Sequence, residues 1–532
     1  MKDTARFCAI AFALLVAQSA MVPASRPAAQ SRAEACTALS GQGADGRTIT
    51  AAEAVTSGSY TPAGTQNQIQ NLPPFCRVAG VLAPTSTSRI LFEVWMPLEN
   101  WNGKFAGVGN GGWAGVISLG ALGDQLRRGY ATASTNTGHQ APTPPGLDAA
   151  RFAHEQPEQL IDFAYRSHHE TALAAKAIIQ AFYNRAPERS YFIGCSSGGY
   201  EGLMEAQRFP ADYDGIVAGA PANNWTRLMA GDFDGVLAVL REPASHLPDA
   251  ALGVLHRAVI ASCDAGDGVT DGVIDDPRAC HFDPASVACG GGVPADRCLT
   301  APQVEAARRV YEGLKDPKTG AQLYPGLARG SEPYWPHRNP GAPFAIPLSH
   351  YKWLVFANPD WDWKTFDFRD PEDFAAHTAA EARLAPIMNA TSPDLRAFRD
   401  RGGKLLQYHG WNDQLISAQN SIDYYESVET FFGRREDVSR FYRLFMAPGM
   451  AHCTGGNGPN TIDMQAALEQ WVERGVAPDR VVATRSVNGI VDRLRPLCPY
   501  PQVATYAGRG DTNDASSFEC RAPSPRTAPP SR

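Results

Sequence analysis

The chain has 532 residues, 44% of them hydrophobic and 19% charged, with a formal net charge of −7. That composition is globular and excludes a disordered chain, a coiled coil or a polytopic membrane protein, while the acidic balance argues against a nucleic-acid partner. The length requires more than one simple domain, or one large domain carrying an insertion.

The N-terminus has a recognisable layout. Lys2 and Arg6 precede an apolar run over 7–16, and Val22-Pro-Ala24 supplies a cleavage signal. This pattern predicts a secretory signal peptide over residues 1–24. The run is too short to span the ~30 Å of a bilayer core, and no later apolar run reaches roughly 18 residues, so no membrane partner is expected. The sequence therefore predicts an exported protein, periplasmic or extracellular.

Export places the chain where disulfides persist. Once Cys8 leaves with the leader, Cys36, Cys76, Cys195, Cys263, Cys280, Cys289, Cys298, Cys453, Cys498 and Cys520 remain. An even number suits five bridges, although sequence does not fix connectivity. Cys263–Cys280, Cys289–Cys298 and Cys498–Cys520 are close pairs, and Cys36–Cys76 is the next simplest. Cys195 and Cys453 are left over. No C-x-x-C pair supports a zinc site.

Strand-like runs fall at 77–82, 89–96, 104–108 and 130–135, a helical stretch at 162–183, and an apolar strand at 190–193. This order predicts an α/β fold with a mostly parallel sheet. Alternation stops near Asn223. Residues 223–393 are rich in Pro, Gly, Trp and Asp and read as an inserted lid. Strands resume at 404–409 and 440–446, followed by a helix at 463–473. The expected division is a discontinuous catalytic domain, 36–222 and 394–520, around the lid. A Pro- and Ser-rich tail, 521–532, is expected to be disordered.

The sharpest chemical feature is Gly194-Cys-Ser-Ser-Gly198, a G-x-S-x-G placed after an apolar strand and before a helix at 201–208. That context is what a nucleophile elbow needs; otherwise the motif is a tight Gly/Ser turn. Ser196 is the candidate nucleophile. Centring on Ser197 instead puts Cys195 at the first glycine position. A serine needs a base, and the base an orienting carboxylate, in the chain order Ser, Asp, His on this fold. The strand at 404–409 runs into Asp413 and that at 440–446 into His452, which fit the order. His409 lies within or at the end of a strand, and His139, His168 and His169 precede the serine. Cys195 adjoins Ser196, and Cys453 adjoins His452. If Ser and His meet, a Cys195–Cys453 bond pins one to the other.

Together with Tyr191-Phe-Ile-Gly-Cys-Ser196, Tyr213-Asp-Gly-Ile-Val-Ala-Gly-Ala-Pro221 and Pro448-Gly-Met-Ala-His-Cys453, this set resembles the tannase and feruloyl esterase family, which includes mono(2-hydroxyethyl) terephthalate hydrolase. The likeness runs from about Cys36 to Cys520. It implies a secreted serine esterase on an α/β-hydrolase core with a large lid and bound calcium, acting on esters of aromatic acids.

An oxyanion hole requires two backbone N–H donors. One is expected from Ser197, after the nucleophile. For the other, similarity to the family pattern after Trp101-Asn-Gly points to Gly112. The acidic run Cys263–Asp276 places Asp at 264, 267, 271 and 275 between glycines. Hard oxygen donors in a tight loop suit Ca²⁺, but the spacing is not that of an EF-hand, and a solvated acidic turn reads equally well from the residues. The resemblance decides for calcium. It implies side chains of Asp264, Asp267 and Asp271 with carbonyls of Val269 and Val273, in a structural role. No organic cofactor is expected.

Trp335, Tyr351, Trp353, Phe356, Trp361, Trp363 and Phe366 in the lid would suit either an aromatic acyl pocket or the lid's own core. The leading expectation is hydrolysis of hydroxycinnamoyl, feruloyl-type esters, free or attached to plant polysaccharide or polyphenol. Galloyl esters come next and a terephthalate monoester third. The readings from other classes are an inactive hydrolase fold used for binding, and a serine peptidase on the same fold.

Overall fold

The computed structural model describes Met1 and residues 28–522, apart from positions 45, 64, 144, 145 and 293. Apart from Met1, the signal peptide expected over 1–24 lies outside the described residues. So does the tail from 523 onward.

Ten strands form one sheet: β1 (Gly43–Ala44), β2 (Arg47–Val55), β3 (Phe75–Leu82), β4 (Ile90–Pro97), β5 (Lys104–Val108), β6 (Ala131–Thr135), β7 (Arg189–Cys195), β8 (Gly215–Gly219), β9 (Lys404–Gly410) and β10 (Tyr442–Ala447). Their order across the sheet is β1-β2-β3-β4-β6-β5-β7-β8-β9-β10. The pairs from β1 to β4, and β4 with β6, are antiparallel, whereas every pair from β6 to β10 is parallel. The expectation of a mostly parallel sheet thus holds only for the second half. Up to β4 no helix separates successive strands of the sheet among the described residues, and parallel pairing needs a crossover. This is the α/β-hydrolase arrangement.

Parallel strands here are covered on both faces, and their sequences show it: every residue of β6 and β8 is buried. Phe192, Ile216 and Leu405 belong to the same core cluster as Leu203 of the helix Ser197–Arg208, and Tyr191, Val217 and Leu406 to the cluster of Leu468 and Trp471 in the helix Met464–Arg474. A sheet clamped this way is a rigid platform. Its parallel strands end at one edge, where loops from β5, β7, β9 and β10 converge. The helical stretch expected at 162–183 is a π-helical turn, Asp162–Arg166, continuing as the α-helix Ser167–Tyr183. Its first residue, Asp162, is buried and accepts from Arg166 Nε at 2.6 Å.

Residues 223–393 add no strand to the sheet. They form the helices Trp225–Leu240, Asp249–Cys263, Ala301–Glu312 and Pro371–Met388 with shorter turns and a small hairpin, Leu314–Lys315 with Gln322–Tyr324. The two ends of this insertion meet, Ala390 N donating to Asn223 O at 2.8 Å. Two C-terminal hairpins carry no mark in the sequence reading: Val481–Val487 with Ile490–Leu497, and Val503–Tyr506 with Phe518–Arg521. The second ends in strand at Arg521, so that residue is paired rather than part of a loose tail.

Cys36–Cys76, Cys195–Cys453, Cys263–Cys280, Cys289–Cys298 and Cys498–Cys520 are bonded. Five disulfides suit an oxidising, extracytoplasmic compartment. Among the described residues no helix is long and apolar enough to cross a membrane.

Candidate active site

β7 delivers the chain into the Gly194–Gly199 turn. Ser196 sits there at φ 65°, ψ −124°, immediately before the helix Ser197–Arg208. A non-glycine residue in such a conformation costs on the order of 1–3 kcal/mol and persists only when its surroundings over-determine it. Three backbone bonds do so. Ser196 N donates to Gly219 O at 3.0 Å, and Ser196 O accepts from Tyr200 N at 3.1 Å and Ala222 N at 3.2 Å. The glycines are steric requirements: a Cβ on Gly194 would overlap the Gly198 backbone, and one on Gly199 the Gly219 carbonyl. The turn leaves Ser196 half-buried at the edge of the sheet.

Asp413 and His452 lie on the loops after β9 and β10. His452 Nδ1 donates to Asp413 Oδ2 at 2.8 Å. Asp413 Oδ1 accepts the amides of Leu415 at 2.8 Å and Ile416 at 2.9 Å. Burial opposes charge on Asp413, yet the attraction of His452 and hydrogen bonds from His409 and His452 hold its carboxyl well below the ordinary carboxylate range. Burial likewise opposes the charged form of His452, but Asp413 outweighs it and raises the imidazole above its usual value. Gln414 Oε1 accepts from His452 N at 3.2 Å, which ties the two loops once more.

The Cys195–Cys453 bond joins the residue before Ser196 to the residue after His452, with Cα atoms 5.9 Å apart. The Ser196 turn and the His452 loop are therefore one covalent unit, although 258 positions separate the cysteines.

The loop after β5 folds back over the elbow. Asn110 N donates to Glu201 Oε2 at 2.8 Å, and Gly198 N donates to Asn110 O at 2.9 Å. Gly112 has φ 56°, and its carbonyl accepts from Ser197 Oγ at 2.7 Å. Among the described residues neither the Gly112 amide nor the Ser197 amide donates a hydrogen bond. Trp113, the next residue, packs edge-on against Trp225 at a centroid distance of 4.8 Å and donates to Ile346 O at 3.2 Å, joining this loop to the lid.

The acidic loop is tightly self-bonded. Asp264 accepts the amides of Asp271 and Gly272, Asp267 those of Val269 and Asp275, and Asp271 the amide of Val273. Asp271 also meets Arg495 at 2.6 Å and Arg493 at 3.2 Å. Among the described residues no three Asp, Glu, His or Cys side chains are gathered as metal ligands. The donor chemistry nevertheless suits a hard cation. Burial and then neighbouring carboxylates push Asp267 and Asp275 above the usual range. The carbonyls of Val269 and Val273 accept no hydrogen bond among the described residues.

Several lid aromatics pack on one another. Tyr351 and Phe366 are buried against Phe233, at 4.6 Å and 5.1 Å between centroids, and Trp361 stacks on Phe356 at 5.1 Å. Trp335 is buried beside Tyr311. These residues build the lid's interior. Three contributors escaped the sequence reading: His409, Glu201 and Trp113. His409 carried a signal, since it precedes Asp413 by four residues across a tight loop; Glu201 and Trp113 carried none.

A family model described as "Tannase and feruloyl esterase" matches residues 76–341 and 346–521. An uncharacterized esterase of Xanthomonas campestris pv. campestris is 38% identical, covering 94% of this chain and 93% of its own. The mono(2-hydroxyethyl) terephthalate hydrolase of Piscinibacter sakaiensis is 37% identical, covering 85% of each. The crystal structure of feruloyl esterase B from Aspergillus oryzae superposes with a TM-score of 0.85 at 30% identity, over 92% of this chain and all of that one.

Proposed function

The chain belongs to the tannase and feruloyl esterase family, and on that premise we propose that it is an exported serine esterase cleaving esters of phenolic, feruloyl-type acids through an acyl-enzyme on Ser196. Its class is carboxylic ester hydrolase. The observation that carries the catalytic reading is the joining of three loops: Asp413 holds His452, and the Cys195–Cys453 bond holds His452 beside the strained Ser196.

In this reading Ser196 Oγ attacks the ester carbonyl while His452 Nε2 takes its proton. Asp413 fixes Nδ1 as the donor, so Nε2 is the free base, and it stabilises the imidazolium that forms. The carbonyl oxygen becomes an oxyanion between the Gly112 and Ser197 amides, which have no other acceptor among the described residues. His452 then gives its proton to the departing alcohol, and water activated by the same imidazole releases the acid. The Ser197 hydroxyl props the Gly112 carbonyl, which keeps that residue's amide aimed across the elbow.

Asp264, Asp267 and Asp271, with the carbonyls of Val269 and Val273, would hold a calcium ion. Bound there, the ion supplies positive charge that offsets the crowded carboxylates of a lid loop, and it enters no chemical step.

Hydroxycinnamoyl esters lead, galloyl esters follow and terephthalate monoesters come third. Product analysis on methyl ferulate, methyl gallate and mono(2-hydroxyethyl) terephthalate tests the order. Ferulate released at the highest kcat/KM supports the reading; a ranking led by either rival replaces it. Hydrolysis of none of the three, with a folded protein, refutes it.

A further inference from the structure

Asp413 Oδ2 accepts from two imidazoles, not one. Besides His452, His409 Nε2 lies 3.1 Å away. His409 is wholly buried on β9. Its Nε2 also lies 3.1 Å from Ile416 O. Two acceptors face this nitrogen, a carboxylate and a carbonyl, so Nε2 carries a hydrogen. Nδ1 is then the acceptor, and it faces Ser421 Oγ at 2.6 Å. Ser421 Oγ in turn accepts from Gln407 Nε2 at 2.7 Å, which leaves the serine proton for Nδ1. Gln407 is oriented by Tyr442, whose hydroxyl donates to Oε1. All of these side chains are buried. The chain Tyr442, Gln407, Ser421, His409, Asp413 thus runs in one direction, each donor with its acceptor. Reversing a link would bury two donors or two acceptors face to face, which is costly without water.

We propose that His409 is a positioning residue of the esterase: its Nε2–H holds Asp413 Oδ2 in place and takes up part of the carboxylate charge that would otherwise act on His452. The inference rests on the catalytic reading of Ser196, Asp413 and His452 given above. Two consequences separate it from a packing role. Asp413 loses one of its orienting bonds when the donor is removed, so His452 is aimed less well and kcat falls. The remaining donor on Oδ2 is then His452 alone, so the carboxylate acts on it more strongly and the imidazole becomes more basic. The titratable groups around the pair are Asp413 itself, Asp232 of the helix Trp225–Leu240 and Tyr324 of the lid hairpin, the last two both sensing the Asp413 charge.

Two substitutions divide the functions of the ring. In His409→Gln the amide nitrogen reaches about as far as Nε2 and can still donate to Asp413. In His409→Asn the side chain reaches only as far as Nδ1, so it can meet Ser421 but not Asp413. For His409→Asn, kcat on a soluble ester falls roughly 10- to 100-fold, the scale of a misaimed catalytic group, while KM stays within about 3-fold. The acid limb of its kcat/KM profile moves to higher pH. His409→Gln restores most of the lost kcat and returns the limb toward wild type. An acid limb of His409→Asn at the wild-type position overturns the proposal, as do equal kcat values for the two variants. Should His409→Asn not fold, Ser421→Ala releases the tautomer from its partner and must show both changes at smaller size; unchanged kcat and limb there overturn it equally. Ser196→Ala is assayed beside them. Activity surviving in that variant sinks the catalytic reading itself, whereas an inert Ser196→Ala beside a silent His409→Asn sinks the positioning role alone.

Discussion

Replacing both Cys195 and Cys453 by Ala separates covalent tethering from every other restraint on the base loop. The bond closes a 258-residue separation, for which the chain-entropy model gives roughly 5.5 kcal/mol; measured disulfides more often contribute about 2–4 kcal/mol. The loop retains its own bonds, Thr454 N to His452 O at 2.7 Å and Ala451 N to Gly455 O at 3.0 Å, and His452 retains Asp413. The His–Asp geometry therefore survives, and the loss falls on the distance between His452 and Ser196. An offset of ~1 Å there lowers kcat about 100-fold. KM changes little, because the lid is not part of the bridge. Non-reducing peptide mapping of the native protein must first find the pair linked. Steady-state kinetics of the double variant on p-nitrophenyl butyrate are then measured well below its melting temperature. A folded double variant with wild-type kcat refutes the positional argument and leaves the bond a structural staple.

Four further outcomes follow from the site. Ser196→Ala abolishes hydrolysis with an unchanged circular dichroism spectrum, whereas Ser197→Ala keeps activity within about 10-fold, losing one bond to Gly112 O but not the amide proposed for the oxyanion. Because Asp413 raises His452 above 6.5, the acid limb of kcat/KM lies above that pH: activity appears only as His452 deprotonates. The stability that this raised value contributes has the opposite sense. It is fully present below the unfolded value and is lost as pH rises through the folded one, so urea midpoints for wild type and His452→Gln converge on the alkaline side. Chelation, or Asp267→Ala, lowers the melting temperature, and added calcium reverses chelation; saturation at 100 times Kd corresponds to about 2.7 kcal/mol. A melting temperature indifferent to both treatments excludes the ion.

Local signals made the candidate site legible in the sequence. The elbow was legible because the motif's glycines, Gly194 and Gly198, stand where a Cβ would crowd backbone, that of Gly198 in the first case and of Gly109 and Asn110 in the second. Asp413 and His452 were legible because parallel strands end on one edge, so residues just past β9 and β10 must share it. Even the Cys195–Cys453 pairing followed from adjacency to those residues. Tertiary structure decided what depends on distant partners. Tyr351, Trp361 and Phe366 pack on Phe233 in the lid's own core, and no spacing encodes that. The antiparallel pairing of the first strands depends on neighbours across the sheet, whereas each C-terminal hairpin is a two-stranded sheet of its own. His409 read as one more strand residue, because its meaning lies in Ser421, which only the packing of the helix Ala418–Phe432 against β9 brings beside it. A side chain's local backbone is written in its neighbours along the chain; the direction of its hydrogen bonds is written in neighbours that the fold supplies.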